Sequence, residues 1–155
     1  MAQDAQSQPV ALKDAVGFAL EEARMVLPGI QALFGFQLIA VFSQRFDEVF
    51  DGWHQGLHLA ALALVALACG LAMTPAAYHR QVERGRVSQR LLDRASAFIG
   101  WALLPLMLAI SIDLGLVGYA ITGSDGVALA LGLCSAAVLS ACWLVFPRVA
   151  KRRQG

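Results

Sequence analysis

Charge is scarce in this chain: 15% of its 155 residues are Asp, Glu, Lys or Arg, against 58% hydrophobic residues. A soluble domain of this length needs more polar surface, and a mean hydropathy of +0.62 lies outside the soluble globular range. Cysteine is sparse too. Cys69, Cys134 and Cys142 fall in apolar runs without CxxC or metal-type spacing, which argues against a disulfide framework or a zinc site and reads them as small buried hydrophobes. The chain has no Gly-rich phosphate loop, no HExxH, no GxSxG and no paired catalytic carboxylates in register, so enzyme activity lacks a constellation. A basic n-region ahead of the first apolar run is also missing, with Asp14, Glu21 and Glu22 in its place. That run is expected to be retained and to span.

What the chain does have is long apolar runs. A hydrocarbon core of ~30 Å needs about 20 apolar residues of helix, and four stretches qualify: 25–42, 57–77, 95–120 and 127–146. They are continuous and lack the alternation of barrel strands, so helices must satisfy their backbone. Basic residues divide unevenly between the two sides. Lys13, Arg24, Arg80, Arg84, Arg86, Arg90, Arg94, Arg148, Lys151, Arg152 and Arg153 share one side, and Arg45 stands alone on the other. Lys and Arg resist translocation, which predicts both ends in the cytoplasm. The fold expected is all-α, an integral membrane four-helix bundle, N-in and C-in, in a bacterial cytoplasmic (inner) membrane. Leu12, Ala15, Val16, Ala19 and Ala23 recur at helical spacing and predict a short amphipathic cytoplasmic helix ahead of the first span. Residues 1–9 read as a disordered tail, 10–148 as the membrane domain and 149–155 as a basic tail.

Polar residues inside such spans have to be explained one by one. Asp113 interrupts the third run about 9 Å from its middle at 1.5 Å per residue. An ionisable group near the bilayer centre costs roughly 2.5 to 3.5 kcal/mol, so Asp113 should face the interior and find a partner. Arg45 and His58 are the candidates on that side, giving either a proton or cation site or a structural ion pair that sets helix register. His54 and His58 share a helix face with Cys69, but the third and fourth spans hold no histidine to complete a haem site. No cofactor and no metal are expected. On the first helix Arg24, Pro28, Gln31, Gly35 and Phe42 lie near one face and Gln37 nearly opposite. Amides in lipid need partners, so this helix should be covered on two sides, one cover being a second subunit. Pro28 reads as a kink that frees the Arg24 carbonyl. Small-residue stripes at Ala128, Gly132, Ala136 and Ser140 and at Ala95, Ala102 and Ala109 are packing seams, within a subunit or between subunits of a homo-oligomer. The arginines between residues 80 and 94 are explained by topology and anionic headgroups; the partner is the lipid bilayer, and nucleic-acid binding is not needed.

Three blocks carry a resemblance: Glu22-Ala23-Arg24 followed by Leu27 to Phe34, then Ser43-Gln44-Arg45-Phe46, then Thr74-Pro75-Ala76-Ala77-Tyr78-His79-Arg80. Together they resemble the bacterial membrane family called domain of unknown function 6328. The resemblance implies a small polytopic inner-membrane protein, and some relatives carry a sodium:proton antiporter label. It draws attention to Glu22, Arg24, Gln31, Tyr78, His79 and Arg80, with Glu22 paired to Arg80 or His79 in an inner cluster and Asp113 with Arg45 in an outer one. Two functions fit. The first is a structural or accessory membrane subunit; the alternative is a proton- or cation-permeating channel or transporter acting as an oligomer.

Overall fold

The computed structural model describes residues 12–82 and 89–154. The expected tail over residues 1–9, together with Arg84 and Arg86, lies outside the described residues. The elements are α1 (Leu12–Val41), α2 (Gln44–Val49), α3 (Gly52–Val82), α4 (Gln89–Thr122), α5 (Asp125–Ser140), a π-turn (Ala141–Val145) and α6 (Phe146–Gln154). Four stretches are long and apolar enough to cross a membrane: Arg24–Val41, Gly52–Gln81, Leu92–Thr122 and Asp125–Arg153. The described chain is thus all-helical, with the four spans expected from the apolar runs.

At both ends helix runs on beyond the apolar runs. The lead-in and the first span form one unbroken helix, α1, in which Pro28 ends nothing. At the other terminus the basic tail continues as helix to Gln154. The segment between the first two spans also holds an unexpected element, α2, which buries Phe46. Phe46, Val49 and Phe50 carry the i, i+3, i+4 apolar spacing that makes such a turn amphipathic. Between α4 and α5, Gly123 takes φ +65°, the left-handed conformation that glycine adopts without a Cβ penalty. Its N–H bonds to the Tyr119 carbonyl at 2.7 Å, closing α4 in the usual C-terminal manner.

Packing centres on α3 and α4. Their seam is built from alanine and valine, with Ala61, Val65, Ala68 and Ala72 meeting Ala102 and Ala109, and Ile30 of α1 packs into the same cluster. Apolar attraction is no driving force between helices in lipid, so small side chains that allow close van der Waals contact stabilise the pair instead. Helix α5 lies along α4 and has no buried residue of its own. There the backbones nearly touch: a Cβ placed on Gly115 would sit 2.9 Å from the Ala128 carbonyl oxygen, and one on Gly132 3.1 Å from that of Ser111. Both small-residue stripes read from the sequence are therefore used within the chain. Ser111 and Thr74 bond back to their own helices, donating to the Met107 and Gly70 carbonyls at 2.8 Å, while Ser140 reaches across to Met107 Sδ at 3.2 Å. Two of the cysteines depart from the expected burial. All three are free, and Cys134 and Cys142 are exposed on the outer side of the fourth span, where a thiol behaves as a small apolar group toward lipid.

Near its end the fourth span widens into the π-turn, with the Phe146 N–H reaching back to the Ala141 carbonyl. Pro147 follows at once. Proline has no N–H to donate and its ring crowds the carbonyl four residues back, so a wider turn ahead of it relieves the clash.

Candidate functional site

Asp113 of α4 turns toward α1 and α3 and not toward Arg45. Gln37 Nε2 donates to Asp113 Oδ2 at 2.7 Å, and His58 Nδ1 stands 4.0 Å from Asp113 Oδ1. The other ring nitrogen, His58 Nε2, lies 2.9 Å from the backbone carbonyl of Gln37. A carbonyl can only accept, so Nε2 carries the hydrogen and Nδ1 is the nitrogen turned toward the carboxylate. Gln37 and His58 are both buried. Gln37 Oε1 has no hydrogen-bond partner, and among the described residues it is the one buried side-chain polar atom in that position. A buried polar atom without a partner costs free energy on the scale of a lost hydrogen bond, which marks the place where a donor or cation would be welcome.

The cluster is covered on one side by α2 and its neighbours. The Phe46 ring lies edge-on to His58 and to Phe50, each at 5.3 Å between centroids. Above it sits a second group. Asp51 caps α3, accepting from the backbone N–H of Trp53 and of His54 at 3.0 Å, and the His54 ring bridges Asp51 at 2.7 Å and Asp125 at 3.1 Å. Tyr119 stacks on that ring at 3.7 Å. Hydrogen bonds from His54, its backbone N–H first, hold the Asp51 carboxyl below its ordinary value of 3.8. Together these residues tie the start of α3 to the α4–α5 turn. In the opposite direction from Asp113 lies the alanine seam, which offers no polar side chain. The cluster thus sits under the acidic end of the bundle and is closed toward the basic end.

Other residues singled out from the sequence fall outside this cluster. Arg45 is exposed at the start of α2 and makes no ion pair among the described residues, so Gln37 takes the place expected for it beside Asp113. Gln31, Glu22 and Arg24 are exposed on α1. Among the described residues Glu22 makes no ion pair with His79. Tyr78 lies instead under the guanidinium of Arg94, 5.0 Å from ring centroid to Cζ, which links α3 to α4 at their basic ends. His79 is half-exposed and Arg80 exposed. The Asp51, His54, Tyr119 and Asp125 clamp was missed. Its signal was Asp51 directly before Gly52-Trp53-His54, an N-cap acid at the start of an apolar run.

Four apolar helices with a polar cluster between three of them define a multi-pass membrane protein. Within that class the chain belongs to DUF6328, a family of unknown function, whose model matches residues 16–147. No match was found among curated proteins or among solved structures.

Proposed function

We propose that this protein binds a proton at the Gln37, His58 and Asp113 cluster and passes it across the membrane as a channel or transporter, acting as an oligomer. One observation carries the reading. The Gln37 carbonyl at 2.9 Å takes the hydrogen of His58 Nε2, so Nδ1 faces the Asp113 carboxylate at 4.0 Å, and in a neutral imidazole the two would confront each other as acceptors. A proton on either atom turns that repulsion into attraction. Gln37 is suited to follow such a proton, since an amide can offer its N–H to a carboxylate and, after a flip, its oxygen to an acid. The Asp51, His54 and Asp125 group beyond the Phe46 cover supports entry from the acidic end, and the alanine seam supports a closed opposite side. With the basic residues in the cytoplasm of a bacterial inner membrane, the acidic end is the outer one.

Purified protein in liposomes with a pH-sensitive dye inside tests the reading. Proton uptake driven by an imposed gradient is expected, falling to background in Asp113→Asn and strongly reduced in His58→Gln. No proton or cation flux by the wild-type protein under any gradient would sink it. A structural accessory subunit is the second reading, favoured by the fact that both hydrogen bonds of the cluster cross between helices, α1 to α4 and α3 to α1. That reading expects Asp113→Asn to lower the melting temperature in detergent and to alter no flux.

A further inference from the structure

At the basic end, away from the proton cluster, a groove of about 350 Å³ runs between α4 and the π-turn with the start of α6. Its mouth holds Ser96 and Arg148, and its floor and walls are Gly100, Trp101, Trp143 and Pro147 with leucines beside them. We propose that this groove binds an anionic phospholipid, with the phosphate on Arg148 and Ser96 and the first part of an acyl chain laid over Gly100 between the two indoles.

Four features support this occupant. Arg148 lies just past the last apolar stretch, at headgroup depth, while Trp143 sits five residues earlier, about 7.5 Å deeper at 1.5 Å per residue. The Arg148 guanidinium spends one N–H on the Leu144 carbonyl at 3.1 Å, which fixes its position and leaves further donors of the planar fork for a phosphate. Lys151 and Arg152 follow at i+3 and i+4 on the same side of α6, so the mouth is cationic beyond one residue. Gly100 is the open floor: a Cβ built there meets nothing within 4 Å. A free phosphate would have no use for the apolar floor, and a neutral phospholipid would have none for the cationic mouth. Trp143 lies within the π-turn and Pro147 just after it, so both groove residues sit where the helix departs from regular register.

The test uses the full chain with Trp53→Phe, leaving Trp101 and Trp143 as reporters, reconstituted with dibrominated phosphatidylglycerol or dibrominated phosphatidylcholine as quenchers. Quenching should favour phosphatidylglycerol about fivefold, as the attraction of one basic residue to an anionic lipid implies. Arg148→Gln should abolish the preference, and Gly100→Leu should remove the saturable part of quenching by both lipids. Equal quenching by the two lipids, or a preference that survives both substitutions, would overturn the site. Loss of the preference on adding excess inorganic phosphate would also overturn it, by assigning the mouth to free anions. Native mass spectrometry of the unmutated protein gives a measurement independent of folding in the variants. A phosphatidylglycerol retained on each chain where phosphatidylcholine is shed is the expected result, and no selective retention counts against it.

Discussion

One turn before the end of α1, the Gln37 amide is buried between helices, whereas Arg45 lies beyond the span and is exposed. The bilayer treats them differently for that reason: the amide must take a partner, and the guanidinium need not. Gln37→Leu should cost about 1 to 3 kcal/mol, because it leaves the Asp113 carboxylate without its donor. Arg45→Gln should stay within about 0.5 kcal/mol, as exposed substitutions do. Unfolding in mild detergent measures both, and a larger effect at Arg45 would contradict the pairing found. Asp113 itself was legible in the sequence, since one acid in an apolar run stands out. Its partner was not, because choosing between Arg45, His58 and Gln37 depends on how far α1 rotates and where α2 turns the chain away. Gln37 was recognised as needing cover on the face opposite Gln31, yet only the packing of α1 on α4 shows what covers it. Gln31 is exposed on the other face, where lipid or a second subunit would meet it.

Between elements, the close approach of α4 and α5 makes a sharp expectation. Gly115→Ala would place a methyl group 2.9 Å from the Ala128 carbonyl oxygen, and backbone cannot yield as a flexible side-chain end does. A loss of about 1 to 3 kcal/mol follows from such overpacking. Gly35→Ala, whose Cβ would meet nothing within 4 Å, should be neutral or slightly stabilising. Equal melting temperatures for the two variants would argue against the contact. At the acidic end the cap made by Asp51 gives a pH dependence. Its folded value is lowered, so its contribution is present above the ordinary 3.8 and is lost as pH falls below that value. The melting temperature should therefore drop on acidification through this window, and Asp51→Asn should flatten that part of the profile. The stripes of small residues were read correctly as seams, and spacing alone left open which helix each seam meets. Helix α2 escaped notice because six residues are too few for periodicity to stand out from a loop.

For the molecule as a whole, length and apolar continuity define the four spans without reference to any partner. The distribution of arginine predicts their direction. In a cysteine-free background, Ser124→Cys should react with a membrane-impermeant maleimide in whole cells, and Gln154→Cys should react only after the cells are opened. The reverse pattern would invert the proposed topology and with it the side of entry in the proposed proton pathway. The packing hierarchy was not legible. The apolar runs predicted four helices without ranking them; in the structure α3 and α4 form the centre, α1 joins them through Ile30 and Gln37, and α5 contributes no buried residue. Which apolar face meets protein and which meets lipid depends on small differences in side-chain volume that an apolar run does not display.

The alanine seam beneath Asp113 has a mechanical consequence. Alanine has no rotamers, so nothing along Ala61, Ala68, Ala102 and Ala109 can swing aside to admit a proton or a water chain. A passage on that side has to come from whole helices sliding or tilting against each other, a shear motion on the microsecond-to-millisecond scale. On the proposed transport function, turnover would respond to bilayer thickness and lateral pressure, which act on rigid rods, more than to the chemistry of any single side chain in the seam.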